Sequence, residues 1–415
     1  DLIDLPTTNT IKEKDNTYVK EIADGEFALD MERIVADVLN SGARVAPDMR
    51  IDDRDLKEFP NFYEWCFSKD GGNQAPFAKQ LALATHLLAE YCVSGDSWLH
   101  TNKGMVRIKD LAPKDGLNPI KGKVTTRKGI RKVAFGGLTK RQAKTLKITY
   151  SNGMFIEVTS EHKVLVATSD HSFKWVRAKN LTIGDYGVIP LGHNLWSKHN
   201  ASLPKLANTF HKRTKIYKTP SKMSPDLARL IGYHLTNGSK DQATIGFCTP
   251  DVNVMSDYRD TFKKVFGITP SITRQYVTQK GDTYQECTVY SSYLSQWFDL
   301  IGLGGICYDK EIPDSVLQSS KDCITNMIRG IFDCDGYIDC TEHVSRLGIK
   351  LANTKLTYQI FMLLLNLGIY TVYGEETRRD NQHKVDRAYG TLWIRTPEAW
   401  SLYKDQIGSI HIKKS

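Results

Sequence analysis

Two nine-residue stretches carry, just before a closing glycine, an oxygen-bearing side chain of the kind that holds a hard cation. They are Leu230-Ile231-Gly232-Tyr233-His234-Leu235-Thr236-Asn237-Gly238 and Ile328-Arg329-Gly330-Ile331-Phe332-Asp333-Cys334-Asp335-Gly336, in register at an offset of 98 residues. Each is followed by a strand-like run, a helix and a Gly-Ile stop, at Gly267-Ile268 and Gly368-Ile369. Trp297 to Ile301-Gly302 and then Lys310 are echoed by Trp400 to Ile407-Gly408 and then Lys413, so the chain contains two copies of one unit. Gly232 and Gly330, lacking side chains, would let two motif helices approach backbone to backbone. That approach brings Asn237 and Asp335 together at two helix C-termini, where exposed carbonyls and the negative dipole end favour a cation. An oxygen-rich site of this kind suits Mg2+.

The elements that would carry this site belong to a chain of 415 residues, 40% hydrophobic and 25% charged, long enough for two or three domains with cores of their own. Its most hydrophobic stretch, Ile360 to Leu367, is broken by Asn366 and falls far short of the roughly 18 residues of a membrane span. No membrane association is expected. The first residue, Asp1, follows no basic-plus-apolar leader, which leads us to expect an incomplete or processed N-terminus and a cytoplasmic protein. Eight cysteines lie scattered without a C-x-x-C pair, which disfavours a disulfide scaffold or structural zinc. Charge is divided unevenly: residues 1–91 carry 10 Lys/Arg against 18 Asp/Glu, and the remainder carries 46 against 29. An acidic leader and a basic body suited to a polyanion point to two polypeptides of different origin. The pattern changes at the same place. Residues 78–91 place Leu81, Leu83, Ala84, Leu87 and Leu88 at helical spacing, and from Cys92 short strand-like runs with Gly/Asn turns begin.

Three ordered blocks follow that break. Cys92-Val93-Ser94-Gly95-Asp96-Ser97-Trp98-Leu99 resembles the N-terminal splicing block of inteins. Gly153 to Val164 resembles the second block, with Thr159 and His162 filling its Thr-x-x-His core. Trp175 to Tyr186 resembles the W-x-x-A-x-x-L-x-x-G-D segment that follows in the same family. The resemblance implies that the Cys92 thiol attacks the carbonyl before it and turns the Tyr91–Cys92 amide into a thioester. His162 would protonate the departing nitrogen, and Thr159 would orient it and help hold the developing oxyanion. No cofactor is expected for this step.

The repeated units resemble LAGLIDADG homing endonucleases over roughly residues 220–415, closely at Ile328–Gly336 and more loosely at Leu230–Gly238. The resemblance implies two αββαββα repeats related by pseudo-two-fold symmetry, a monomeric enzyme, and β-ribbons lying in the major groove of double-stranded DNA. Asp335 inherits the role of an acidic Mg2+ ligand. Its partner position holds Asn237, whose amide oxygen brings no charge, so metal affinity and activation of water should both suffer. Lys310, in a Lys-x-Ile-Pro segment, resembles the family's active-site lysine, with Lys413 its repeat-related candidate and Lys414 an alternative. Lys205, Lys212, Arg213, Lys215, Lys218 and Lys222 form a basic stretch that would either contact phosphates or link domains.

The expected architecture is therefore α+β and multidomain. A short helical host segment (1–91) precedes an incomplete, horseshoe-like, mostly-β splicing domain (92–195). A basic linker or DNA-contacting segment (196–222) then leads into the endonuclease (223–415), whose repeats span about 223–312 and 313–415. The His-Asn pair that closes an intein is not found, so a split intein is expected, with a C-terminal fragment and its extein supplied in trans or lost. Phe59 to Trp65 and Pro76 to Gln80 resemble, weakly, the start of a phage terminase large subunit. That places the chain in the cytoplasm of a bacterial or phage-infected cell. No phosphate loop accompanies the match, so no ATPase activity is expected here. Two other readings stay open: a DNA-binding module whose nuclease is attenuated, nicking or lost through Asn237, and a tolerated insertion that no longer splices.

Overall fold

The computed structural model describes residues 19–23, 26–29 and 92–412, apart from 115–117, 128, 134, 208–213, 279–280, 341–344 and 381–383. The helix expected over 78–91 and the terminase-like residues lie outside this set. What is described of the leader is β rather than helical. Strands β1 (Val19–Ala23) and β2 (Glu26–Leu29) pair antiparallel. Asp24-Gly25 separates them, a residue pair that favours two-residue hairpins.

From Cys92 the chain forms short antiparallel strands. β3 (Trp98–Thr101) and β4 (Gly104–Arg107) make a hairpin extended by β6 (Lys123–Thr126) and β7 (Gly129–Lys132), while β5 (Asn118–Pro119) pairs β8 (Phe135–Gly136). β9 (Leu146–Thr149) pairs β10 (Phe155–Val158), and β11 (Lys163–Ala167) sits between β12 (Phe173–Arg177) and β13 (Tyr186–Gly187). The segment Trp175 to Tyr186 owes its shape to local geometry. Gly184 has φ +105°, and the Asp185 carboxylate accepts the Thr182 amide at 2.8 Å, closing the turn into β13.

Two units of like topology follow. In the first, α1 (Pro225–Thr236) leads into a sheet ordered β14 (Gly238–Lys240), β15 (Thr244–Thr249), β17 (Thr283–Tyr290), β16 (Ser271–Val277). Helix α2 (Val252–Phe266) connects β15 to β16, and α3 (Ser292–Leu300) follows β17. In the second, α4 (Lys321–Asp335) leads into β18 (Gly336–Cys340), β19 (Ser345–Leu351), β21 (Val385–Ile394) and β20 (Val372–Asp380) in the same order. Helix α5 (Thr354–Asn366) connects β19 to β20, and α6 (Pro397–Gln406) closes the unit. The Gly-Ile stops are left-handed glycines: φ is +74° at Gly267 and +87° at Gly368.

Helices α1 and α4 meet as closely as their glycines predict. A Cβ on Gly232 would lie 2.2 Å from Met327 O and 3.2 Å from Ile331 N; one on Gly330 would lie 2.6 Å from Arg229 O and 3.2 Å from Tyr233 N. The two contacts reciprocate, because Arg229 and Met327, like Tyr233 and Ile331, stand 98 residues apart. Around this seam lies one continuous core that includes Leu227, Ile231, Tyr258, Phe262, Trp297, Ile324, Ile328, Phe361 and Ile394.

The β-rich part docks on the second unit and on the segment that leads into it. Arg107 pairs with Glu311 at 2.6 Å, Gly104 sits against the Leu317 carbonyl, and the His100 Nε2 lies 3.1 Å from Met362 O. The described residues of the connection over 188–224 are held at several points. Gly192 and Asn194 donate to Leu365 O and Asn366 O, Leu203 donates to Ser221 O, and the Trp297 indole donates to Pro204 O. Among the described residues no helix is long and apolar enough to cross a membrane.

Candidate functional site

Cys92 and Thr159, 67 residues apart, are brought together by β10 running antiparallel to the Cys92 segment. Val93 bridges Val158 and the Ser94 amide donates to Glu157 O at 2.8 Å. The Cys92 amide, the nitrogen that would leave in an acyl shift, donates to Thr159 Oγ1 at 3.0 Å. The Thr159 amide donates to Cys92 O at 3.0 Å, and the hydroxyl reaches the same oxygen at 3.4 Å. Thr159 is buried. His162 follows a tight turn closed by its own amide on Thr159 O at 3.1 Å, and its carbonyl accepts the Ala178 amide. Tyr91, whose carbonyl would carry the oxyanion, lies outside the described residues.

One contact was not legible in the sequence: the Cys92 thiol lies 2.9 Å from the Thr139 hydroxyl. Thr139 stands in Gly136-Gly137-Leu138-Thr139-Lys140, where no spacing marks it. The acidic residue of the first block has a structural part. Asp96 pairs with Lys109 at 2.6 Å and with Arg107 at 3.6 Å, and the Lys109 hydrogen bond foremost lowers its pKa, which ties the Cys92 loop to the hairpin.

The second constellation lies where α1 and α4 end. Asn237 caps α1, its amide bonded to Tyr233 O at 2.9 Å, and Asp335 is the last residue of α4. Burial foremost raises the Tyr284 phenol of β17, with the charges of Asp282, Cys248 and Asp335 adding to it. Lys310 is buried, and its ammonium donates to His234 O at 2.6 Å and Gly238 O at 3.2 Å. It thus answers the carbonyls at the end of α1, and burial lowers its pKa.

Lys413 lies outside the described residues, but the strap before it is placed. Ser409 Oγ and the Ile410 amide donate to Asp333, and the Ile412 amide donates to Asp251 at 2.9 Å. Asp251 caps α2, as Asn353 caps α5 while donating to Cys307 O and Lys310 O. The strap therefore stands to α4 as the Lys310 loop stands to α1.

The sequence left Asp226, Asp241 and Asp333 open as substitute ligands; all three are engaged elsewhere. Asp226 pairs with Arg229 and Lys264 in the first turn of α1, at the far end of the helix. Asp241 accepts the Ala243 and Thr244 amides within a turn. Asp333 is buried under the strap. Among the described residues no group of three or more His, Cys, Asp or Glu is placed to hold a metal ion. What the two helix ends offer is the Asp335 carboxylate and the Asn237 amide oxygen, hard oxygen donors of the chemical kind that Mg2+ takes together with a substrate phosphate.

Both sheets turn a polar face away from the helices. Leu347, Ile349, Leu392 and Ile394 are buried, so the alternate positions Arg346, Lys350, Thr391 and Trp393 face outward. There Arg346 lies 4.0 Å from the Trp393 ring and Lys350 lies 5.1 Å from the Tyr389 ring, with Arg274 over Tyr276 at 4.9 Å on the first sheet. Asp339 and Glu376 partly neutralise this face through Arg346, Lys350 and Arg378. Of the basic stretch, Lys212 and Arg213 lie outside the described residues, and Lys215 lies 5.1 Å from the Tyr217 ring.

Residues 322–408, which span α4 through α6, match the family model described as the LAGLIDADG-like domain. The chain is 28% identical over 203 residues to glutamine–fructose-6-phosphate aminotransferase of Methanocaldococcus jannaschii, covering 47% of this chain and 17% of that protein. It is 24% identical over 266 residues to the replication factor C small subunit of the same organism, covering 63% of this chain and 12% of that protein. The chain thus spans less than a fifth of the length of these relatives. Among solved structures, the homing endonuclease I-WcaI bound to its DNA recognition sequence aligns with a TM-score of 0.33 at 12% identity, covering 48% of this chain and 90% of that one.

Proposed function

With a LAGLIDADG-like domain in place over 322–408, we propose that this chain is an inserted element with two activities: thioester formation at Cys92 and site-specific cleavage of double-stranded DNA. The observation that carries the first activity is the bond from the Cys92 amide to Thr159 Oγ1. It holds the nitrogen that leaves when the thiol adds to the Tyr91 carbonyl. In that step the S–C bond forms and the C–N bond breaks; the thiol gives up one proton and the nitrogen gains one from His162 to become a free amine, so the step is a net isomerisation. No oxidant or water is consumed. An aminotransferase and a replication factor bear unrelated names, yet each matches this chain over a minor part of its length, which supports a segment that moves between hosts.

A C-terminal splicing segment, supplied in trans, would add to the β-rich part where Phe173, Trp175, Ile183 and Tyr186 are exposed. The test is intact mass of the full chain and of Cys92→Ala, with and without hydroxylamine, alone and with candidate C-terminal segments. Release of the first 91 residues from the parent alone is expected. Identical masses for the parent and the variant under every condition would sink the thioester reading.

For DNA, the two units would form a pseudo-two-fold pair whose outward sheet faces enter the major groove, Arg346, Lys350 and Arg274 meeting phosphates and base edges. Asp335, with the neutral oxygen of Asn237, would hold Mg2+, which when bound activates the attacking water and stabilises phosphate charge. Lys310 would accept a proton at its amine, a role its burial favours. The single carboxylate favours a second reading, DNA binding with nicking or lost cleavage. Parent, Asn237→Asp and Asp335→Ala are therefore compared on target DNA. Double-strand cleavage by the parent that Asp335→Ala abolishes supports the nuclease; cleavage by Asn237→Asp alone supports the second reading.

A further inference from the structure

We propose that Tyr358 is a positioning residue for the Cys92–Thr159 pair, and that the second repeated unit is thereby a structural part of the thioester site. This rests on the thioester reading above.

Thr159 directly follows β10, which pairs with β9 in a two-stranded sheet and meets the Cys92 segment only through its last two residues, Glu157 and Val158, leaving its start at Phe155 to be held from elsewhere. Two strands by themselves are marginal in water, so something outside them must fix the hairpin. The structure places that support in the second unit. The Tyr358 hydroxyl accepts the Phe155 amide at 3.3 Å and donates to the Phe155 carbonyl at 3.2 Å. One side chain thus closes both main-chain groups of the first residue of β10, as a neighbouring strand would. The two rings pack at 4.6 Å, and the Lys147 ammonium lies 4.1 Å from the Phe155 ring.

The hairpin tip is seated as well. Asn152 O accepts the Tyr373 amide at 2.8 Å, and the buried Asn152 side chain accepts the Met154 amide. Gly153 has φ +86°, and a Cβ there would lie 2.1 Å from Tyr373 O, so the socket admits only glycine. Tyr358 stands on α5, between Phe361 and Tyr373 with ring centroids at 5.6 and 5.2 Å. The base is rigid because α5 is buried on nearly every face. Four residues of extended strand, about 13 Å, separate Phe155 from Thr159, so a shift at one end is carried to the other. The far end is where the leaving nitrogen is held, and small misplacement there is costly: about 1 Å can cost about 10²-fold in rate.

Tyr358→Phe removes the hydroxyl and keeps the ring; Gly153→Ala disturbs the socket independently. Both are compared with the parent full chain for hydroxylamine-induced release at Cys92, for amide exchange over residues 146–159 by mass spectrometry, and for DNA binding. The expected result is faster exchange in that hairpin and release slowed roughly tenfold, with DNA binding close to the parent's in both variants and the melting temperature close to the parent's in Tyr358→Phe. Unchanged exchange in both variants overturns the proposal, and so does faster exchange with release at the parental rate. If the parent itself releases no more than Cys92→Ala, the thioester reading has failed before any Tyr358 variant is compared, and the proposal falls with it.

Discussion

A buried ammonium beside a helix end is an expensive arrangement, and Lys310 accepts it at the C-terminus of α1. Its protons go to His234 O and Gly238 O, which would otherwise be exposed carbonyls. Those bonds make its charge tolerable, while burial still favours the neutral amine that can take a proton from water. Replacing it should separate chemistry from stability. Lys310→Met is expected to lower DNA cleavage roughly 10²-fold with DNA binding retained, and to leave the melting temperature unchanged or higher because a buried charge is removed. Cleavage at the parental rate would show that the lysine is structural. At the other constellation, Thr159→Ala removes the acceptor of the Cys92 amide, and hydroxylamine-induced release should slow roughly 10²-fold while Cys92→Ala abolishes it. The residue types were legible in advance at Cys92, Thr159, Asn237 and Asp335. Thr139 was not, because a loop hydroxyl acquires meaning only from the thiol that folding places beside it.

At the scale of elements, the α1–α4 seam is set by two glycines. A methyl group on either would overlap the carbonyl of the facing helix, and neither backbone can yield without moving its whole helix. Gly232→Ala and Gly330→Ala should each destabilise the chain by roughly 2–3 kcal/mol, read as a fall in the denaturant midpoint, and should do so to similar extents because the contacts reciprocate. A variant as stable as the parent would mean that the helices slide apart at little cost. The repeats and their helix stops were readable because left-handed glycines and recurring residue patterns leave local marks; the strand order within each sheet was not. A wholly helical leader does not hold: the apolar spacing of 78–91 says nothing of Asp24-Gly25, which lies between the strands at Val19–Ala23 and Glu26–Leu29.

The whole molecule joins its two parts through an interface that contains an ionisable ring. His100 is buried, and its Nε2 must carry the proton because Met362 offers a carbonyl. Its Nδ1 has no hydrogen-bond partner among the described residues. Burial brings its pKa from 6.5 down to about 4, with His193 adding and the Met362 bond opposing. His234, buried against Tyr258 and near Lys310, is brought down to about 3. The unfolded chain takes up protons near pH 6.5 that the folded chain refuses until about pH 4, so stability is full above that window and falls as pH drops through it. For His100 alone the loss amounts to about 3 kcal/mol. Thermal unfolding measured from pH 7 to pH 4 should show this slope, and His100→Gln, which keeps a donor to Met362 O and cannot titrate, should flatten it. A His100→Gln profile as steep as the parent's would assign the acid sensitivity to other groups.

The amino-acid sequence by itself determined the repeat, the glycine seam, the cation-suited helix ends and the order of the Cys92, Thr159 and His162 blocks. All of these are local patterns, written in spacing and in residue types that only certain backbones accept. Tertiary structure decided what those residues touch. It showed that Asp226, Asp241 and Asp333 are engaged elsewhere, that the Lys310 ammonium lies on the carbonyls at the end of α1, and that the hairpin leading to Thr159 leans on Tyr358, 203 residues from Phe155. Contacts between segments so distant depend on which face each element turns to the core, and no spacing along one chain records that.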